Sequence, residues 1–403
     1  MKMKKVLFPT LALATLLIAG CANAAEEQKA APMTFETYVQ KVEAETSTGF
    51  PISLDLRLDM PVGDGEQQEN VKKGIIEVIG QSAIGKVLGA PTGNTMKEIG
   101  DNYVSTFKQK TDANAIRRTI TMEVTCVYQN EACAVFYVED DGIDYDSSQK
   151  YEAVIRLSDG HPMTNDEIAK ISKDELMNLA HKFADDSQKG EIDDEGNYSL
   201  SIGADGLLFH PTQYSLNEYV LPIEAVEAYL TEDGKALLKA SPLLAERPGS
   251  SETIQGDLGR YDLQGPVKSY KIVSEDIEYT FDTNGLLQTR NGEPVVGSVY
   301  EKINRNDQGL ATEAFAIGNS RDIFTYDASG RLAKRVYRVG NRDEQIDVYY
   351  YDSRGVLYKV NSMTLLNERN IVTNTEKFYG FQFDSHGNWT KRRDAERVIT
   401  YYN

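Results

Sequence analysis

The chain has 403 residues, with 43 basic and 62 acidic side chains and a formal net charge of −19. That length suggests two or three domains. The acidic balance excludes nucleic acid as the default partner and disfavours adsorption to anionic headgroups, since both need a basic footprint. It suits a cationic partner steered by the field, or simply a soluble exposed surface.

Lys2, Lys4 and Lys5 precede an apolar run from Val6 to Ile18. The run is too short for a membrane span, which needs about 20 apolar residues. It fits the hydrophobic region of a secretory signal peptide. Ile18-Ala19-Gly20-Cys21 resembles the bacterial lipobox. That resemblance implies cleavage before Cys21 and lipidation of its thiol, with residues 1–21 as signal. The alternative is ordinary cleavage after Ala24. Acyl chains contribute about 0.8 kcal/mol per buried methylene, so several would anchor the protein firmly. Ala22 is not the aspartate of an inner-membrane retention signal, which favours the outer membrane of a Gram-negative cell envelope. Without the three signal lysines the charge becomes −22, from −19 minus 3.

Residues 22–33 read as a flexible tether and 34–239 as one α+β domain, an antiparallel sheet with helices. Ile52, Leu54, Leu56 and Leu58 alternate as in a half-buried strand. Val71, Ile75, Ile76, Val78 and Ile79 mark a helix. Thr95 with Glu98, Thr164 with Glu167, and Ser172 with Glu175 have capping-box spacing and open three more helices. The first of these carries Met96, Ile99, Tyr103 and Phe107, and the last Leu176, Leu179, Ala180 and Phe183. Arg118–Thr125 and Ala134–Glu139 predict a hairpin, and Tyr151–Leu157 a further strand. Residues 185–197 read as an acidic loop. Tyr198–Ile202 and Leu207–Phe209 are short strands, and Ile223–Leu230 a closing helix. Cys126 and Cys133 flank the hairpin turn. In an oxidising compartment a disulfide there would contribute about 2.5 kcal/mol by loop entropy.

Asp205-Gly206-Leu207-Leu208-Phe209, Tyr214, Tyr219, Pro222-Ile223 and Tyr229-Leu230 resemble the closing motif of the RsiV-type domain, the extracellular part of the anti-sigma-V factor. Arg156-Leu157-Ser158-Asp159-Gly160 and Thr164-Asn165-Asp166-Glu167-Ile168 resemble its preceding strand, turn and helix. The resemblance covers residues 34–239. It implies recognition of a cationic protein such as lysozyme and, through fusions to polysaccharide deacetylases, an association with cell-wall processing. The chain departs from the family's Gly-Gly-Ala-His-Gly loop, where it has Asp140-Asp141-Gly142-Ile143-Asp144-Tyr145-Asp146. Ligand contacts of that loop do not carry over.

Ser241-Pro242 and Arg247-Pro248-Gly249-Ser250-Ser251 mark residues 240–255 as a linker. Beyond it, Asp262 and Gly265, Asp282 and Gly285, Asn306 and Gly309, Asp327 and Gly330, Asp352 and Gly355, and Asp384 and Gly387 each frame a turn. The glycines lie 20, 24, 21, 25 and 32 residues apart. An Asp or Asn side chain at the first turn position bonds the backbone two residues on, and glycine at the fourth tolerates positive φ. Strands such as Tyr279-Thr280-Phe281, Phe324-Thr325-Tyr326, Tyr349-Tyr350-Tyr351 and Phe381-Gln382-Phe383 precede the turns. Residues 256–403 thus read as an all-β array of tandem hairpins. Tyr326-Asp327 with Gly330-Arg331-Leu332, and Tyr351-Asp352 with Gly355-Val356-Leu357, resemble YD repeats of the RHS type; Phe383-Asp384 with Gly387-Asn388-Trp389 is a weaker copy. Six irregular repeats enclose little, so an open sheet or meander is expected. Its aromatics either stack on sugars or pair across strands.

The searches for catalytic motifs single out none, although 62 acidic residues leave many carboxylate pairs open for glycoside hydrolysis. His161, His181, His210 and His386 are the four histidines, and no two lie within five residues, so no zincin pair exists. Gly89-Ala90-Pro91-Thr92-Gly93 lacks the lysine of a P-loop, and Ser147 with Lys150 has β-lactamase spacing without the accompanying motifs. Lys189 and Gly196 spoil a calcium loop at Asp185. The expectation is a non-catalytic envelope lipoprotein without metal or cofactor, anchored to the membrane by lipid, binding a cationic protein or a glycan. The alternatives are a component of cell-wall polysaccharide processing and a scaffold that uses the repeat sheet.

Overall fold

The computed structural model describes residues 32–45, 49, 51–93, 95–110, 119–141, 148–183, 197–211, 218–249, 254–316, 318–352, 354–366, 369–393 and 395–402. The signal segment with Cys21, the tether as far as residue 31, Ser147, Tyr214, and most of the acidic loop lie outside the described residues.

The N-terminal region is α+β. Its strands are β1 (Phe35–Glu45), β2 (Pro51–Pro61), β3 (Thr119–Gln129), β4 (Cys133–Asp140) and β5 (Gln149–Arg156), paired in that order. All pairs are antiparallel except β2 with β3, which run parallel, so the sheet is mixed. The connection from β2 to β3 contains α1 (Glu66–Gln81), α2 (Ala83–Leu88) and α3 (Met96–Lys110). A long helical crossover is what a parallel pair requires. β1 carried no apolar alternation strong enough to be read from sequence. It is an edge strand, and Val39 is exposed on it.

The three helices cover one face. Val71, Ile75 and Ile79 of α1, and Ile99, Tyr103 and Phe107 of α3, bury against Leu54, Leu56 and Leu58 of β2. Gly74 of α1 passes so close to Gly160 that a Cβ would lie 2.5 Å from the Gly160 carbonyl oxygen. The other face is covered at its β4–β5 end. There α4 (Asn165–Ile168), α5 (Lys173–Phe183), the sheet of β6 (Ser199–Gly203), β7 (Gly206–His210) and β8 (Tyr219–Leu221), then α6 (Ile223–Val226) and α7 (Glu232–Lys239) enclose a second core. The Thr164 backbone N–H donates to Glu167 at 2.8 Å, the reciprocal half of a capping box. The predicted helix Ile223–Leu230 is only one turn long. Thr231 then caps α7, whose Gly234 N–H donates to the Thr231 hydroxyl at 2.9 Å.

The predicted disulfide is not formed: Cys126 and Cys133 are free thiols. Register explains it. Cys126 lies opposite Phe136 and packs on the first core, whereas Cys133 lies opposite Arg156 in the second. A bulge between Cys126 and Tyr128 sets the two on opposite faces of the sheet.

The C-terminal region is built of antiparallel strands. β9 (Val267–Ile272), β10 (Ile277–Phe281), β11 (Leu287–Arg290) and β12 (Glu293–Pro294) form one half of a seven-stranded sheet. β13 (Tyr300–Arg305), β14 (Ala311–Ala316), β15 (Ser320–Tyr326), β16 (Leu332–Val339), β17 (Arg342–Tyr351), β18 (Leu357–Leu366) and β19 (Arg369–Lys377) make a second sheet, a pure meander. The chain then returns through β20 (Gln382–Phe383) and β21 (Trp389–Arg392) to β22 (Ala395–Tyr401), which pairs with β9 and completes the first sheet.

Five of the six expected turns share one geometry. At Asp282, Asn306, Asp327, Asp352 and Asp384 the side-chain oxygen accepts from the N–H groups two and four residues on, at 2.9–3.0 Å. The glycine at the fourth position has φ between 73° and 81° in each. The turn expected at Asp262 and Gly265 is different. Asp262 has φ 51° and ends a short 3₁₀ helix, Leu258–Tyr261.

The segment expected as a linker makes contacts along its described length. The Arg247 guanidinium donates to the Gly387 carbonyl at 2.8 Å and to that of Gly355. The Ile254 N–H donates to the Ser329 carbonyl at 3.0 Å, and just beyond the expected linker the Asp257 N–H donates to that of Gly285 at 2.8 Å. This stretch thus runs past the tips of four of the turns.

Candidate functional site

Along β2 the leucines face the helices, so Asp55, Arg57 and Asp59 point the other way. The alternation suggests a solvent-facing polar surface. The C-terminal region covers part of it instead: Asp59, Glu123 and Thr125 are buried. Between this covered face and the C-terminal region lies a cavity of about 760 Å³. Met33, Phe35, Thr37, Arg57, Asp59, Cys126 and Tyr128 line one side, with Ile202, Asp205 and Leu208 from the β6–β7 hairpin. Arg354, Tyr358, Phe378, Tyr379, Phe381 and Arg393 line the other.

Two ionic contacts cross the boundary at the cavity margin. Arg393 meets Glu123 at 2.5 Å, and Glu123 also accepts from the Thr125 hydroxyl at 2.8 Å. The second contact is a buried cluster. Glu152 of β5 and Glu218 before β8 face Lys359 of β18 and Lys377 of β19. Lys359 is only 1% exposed and meets Glu218 at 2.8 Å, while Lys377 bridges Glu152 and Glu218. The Ser201 hydroxyl donates to Glu152 at 2.5 Å, and the His210 ring nitrogen lies 3.4 Å from the same carboxylate. Burial alone would raise both carboxyls. The ammonium groups outweigh it, holding Glu218 down at about 2 and Glu152 lower still. Burial likewise lowers Lys377, but the two carboxylates outweigh it and hold it above the usual lysine range.

Two carboxylates balance two ammonium groups in the cluster. Glu152, His210 and Glu218 present ligating atoms within 4.8 Å of one another. A divalent ion there would have to displace both lysines, so the donor set as it stands is an ion-pair clasp. Spacing in sequence could not reveal it, because its members come from five distant segments. A weaker signal was available: Glu152 and Lys359 each interrupt an apolar strand.

The other singled-out residues are scattered. His161 bonds Glu167 at 2.9 Å, His181 is exposed on α5, and the His386 ring stacks on Tyr401 at 3.9 Å. Lys150 pairs with Glu139 at 2.9 Å. Of the acidic loop before β5, only Asp140 and Asp141 are described. The strand aromatics mostly pack inward. Tyr270 and Tyr279 are cross-strand partners stacked at 5.1 Å in the core of the first C-terminal sheet. Burial raises both thiols, that of Cys133 to about 12.

No family model matches the chain, and no curated protein matches it. Solved structures similar to part of it are DUF3298 family proteins. A member of that family from Bacteroides fragilis is 12% identical with a TM-score of 0.39, the match covering 52% of this chain and 98% of that one. A second, from Pseudomonas aeruginosa, is 8% identical with a TM-score of 0.31, covering 50% of this chain and 96% of that one.

Proposed function

We propose that the chain is a non-catalytic extracytoplasmic binding module, held at the cell envelope by lipid on Cys21. The observation that carries the binding reading is the cavity between the two regions. Its size lies within the range of small-ligand sites, and its lining is largely apolar with a few convergent polar groups. The carboxylates and ammonium groups of the cluster at its margin are mutually paired, which favours binding over catalysis there. The RsiV-type resemblance of residues 34–239 and the acidic charge point to a cationic protein such as lysozyme as partner.

Calorimetry of the purified chain with lysozyme at low and high salt tests this. Micromolar or tighter binding that weakens with salt is expected. Absence of binding at both salts removes lysozyme and leaves a glycan or scaffold role.

A further inference from the structure

The five-stranded sheet has two edges, and they are finished differently. Along β5 the chain that follows covers the edge. The Met163 N–H donates to the Val154 carbonyl at 2.8 Å, the Arg156 N–H to the His161 carbonyl at 3.1 Å, and Ile155 bridges Pro162. Among the described residues β1 has no such cover: it pairs with β2 alone, over eleven residues. Edge strands are commonly blunted by proline, bulges, shortness or lysines. β1 has no proline, its register with β2 is unbroken, and Lys41 is its one basic residue.

The pairing with β2 fixes which backbone groups face outward. Just before β1, the Val62 N–H donates to the Thr34 carbonyl at 2.9 Å. Bonded and non-bonded pairs alternate along an antiparallel ladder. The even-numbered residues of β1 therefore bond to β2. The N–H and C=O groups of Phe35, Thr37, Val39, Lys41, Glu43 and Glu45 point away from it. Pro61 and Pro51, which have no N–H, lie opposite Phe35 and Glu45, as this phase requires.

The second half of this edge complements itself. Val39, Lys41, Glu43 and Glu45 are exposed there, Val39 to 65%. Lys41 has one ionic contact, with Asp55 at 3.8 Å, and its side chain is 61% exposed. Set antiparallel to a copy of itself, with the two-fold axis at Val42, the strand places Lys41 opposite Glu43 twice. Val39 then lies opposite Glu45, again twice, and all these pairs join outward-facing residues. With the axis one residue earlier Lys41 would face Lys41, and one residue later Glu43 would face Glu43. Opposite charges directly across a strand pair stabilise it, and like charges destabilise it. We propose that β1 pairs edge to edge with β1 of a second copy of this chain through residues 39–45, continuing the sheet of one copy into that of the other.

Pairing through a single strand buries little surface, so a weak, reversible dimer is expected. Analytical ultracentrifugation of the purified chain from about 1 to about 100 µM tests it. A concentration-dependent shift from monomer to dimer supports the proposal. A monomer throughout overturns it. Val39→Pro removes an outward N–H without touching the β2 ladder, as proline does on edge strands. It should abolish the dimer and leave the melting temperature nearly unchanged. A dimer that survives Val39→Pro uses another surface, and overturns the proposal as well.

Charge reversal tests the register, at exposed positions where the fold is not at stake. Lys41→Glu sets a glutamate opposite Glu43 at both places and should weaken the dimer at least about tenfold. Glu43→Lys should do the same. The two substitutions together restore opposite charges in every pair, so the double variant should dimerise like the parent. A dimer indifferent to Lys41→Glu, or a double variant no tighter than either single one, overturns the proposal.

Discussion

The two halves of the molecule are stabilised by different means. The N-terminal region buries leucine, isoleucine, valine and phenylalanine in two large clusters on either side of one sheet. The C-terminal region has smaller apolar clusters, one of them built, among the described residues, on the buried Ala311, Ala314, Phe324 and Leu332. Its interior instead holds Asp257, Asp322, Asp347, Lys359 and Arg397. Guanidinium groups lie over aromatic rings there, Arg397 at 3.8 Å from Trp389 and Arg260 at 4.1 Å from Phe324. A sheet that presents its turns to a threaded segment has little depth for aliphatic packing. Bonded polar groups and repeated turn geometry take over that role.

The largest expected effect tests the aliphatic half. Phe136 is fully buried, with Phe35 edge-on at 5.7 Å. Phe136→Ala should cost about 4 kcal/mol, combining lost burial with the cavity left behind. Urea denaturation measures it, and the loss should be insensitive to salt. A loss below about 1 kcal/mol would mean that the first core is less tightly packed than its burial suggests.

The comparable position in the other half is Asp257. It is fully buried, pairs with Arg305 at 2.6 Å and Arg260 at 3.3 Å, and accepts from the Leu287 N–H at 2.8 Å. Asp257→Ala leaves two guanidinium groups and an N–H without that acceptor, and should cost about 3 kcal/mol. Asp257→Asn, which keeps the shape and one acceptor, should recover part of it. If both variants unfold at the wild-type urea midpoint, polar anchoring of the C-terminal region is refuted.

How much of this was legible from sequence follows the same division. Ile52–Leu58 and Val71–Ile79 were readable because aliphatic periodicity reports a buried face directly. The five Asp/Asn–Gly turns were readable because side-chain capping and positive φ leave a local signature. β1 was missed because an edge strand needs no continuous apolar stripe. The parallel pairing of β2 with β3 was missed because crossover topology is not local. The cavity and the Glu152–Lys377 clasp were hidden for a related reason. A polar strand face looks solvent-exposed until a second region covers it, as happens at Asp59 and Glu123. The Cys126–Cys133 expectation failed because spacing does not report a bulge.

A smaller, pH-dependent effect joins the two halves. Glu152 and Glu218 have carboxyl pKa values lowered by folding. Their contribution is therefore complete above the unfolded value of 4.5 and is lost as pH falls toward about 2, where Glu218 takes up its proton. Lys377 works in the opposite sense. Its value is raised, so its contribution is complete below 10.5 and fades as pH rises beyond that. Lys377→Met should cost about 2 kcal/mol at neutral pH and move the acid loss to higher pH, since Glu218 would keep only Lys359, and Glu152 only its neighbours His210 and Ser201. Stability of the variant and the parent measured across the acid range decides this. Identical acid profiles would show that the clasp contributes nothing to joining the regions.

The smallest effect isolates a single turn. Asn306 accepts from the Gln308 and Leu310 N–H groups, each at 3.0 Å, at an exposed position. Its four counterparts use aspartate, so Asn306→Asp preserves the geometry and should be nearly neutral. Asn306→Ala removes both acceptor contacts and should cost about 1 kcal/mol, because water can reach the N–H of the exposed Gln308 while Leu310 is buried. Gly309→Ala should cost at least as much, since φ there is 78° and an alanine resists it. Equal stability of Asn306→Ala and Asn306→Asp would show that the side-chain bonds are dispensable. The turn would then depend on its glycine and on the backbone bond from the Gly309 N–H to the Asn306 carbonyl, 3.0 Å long.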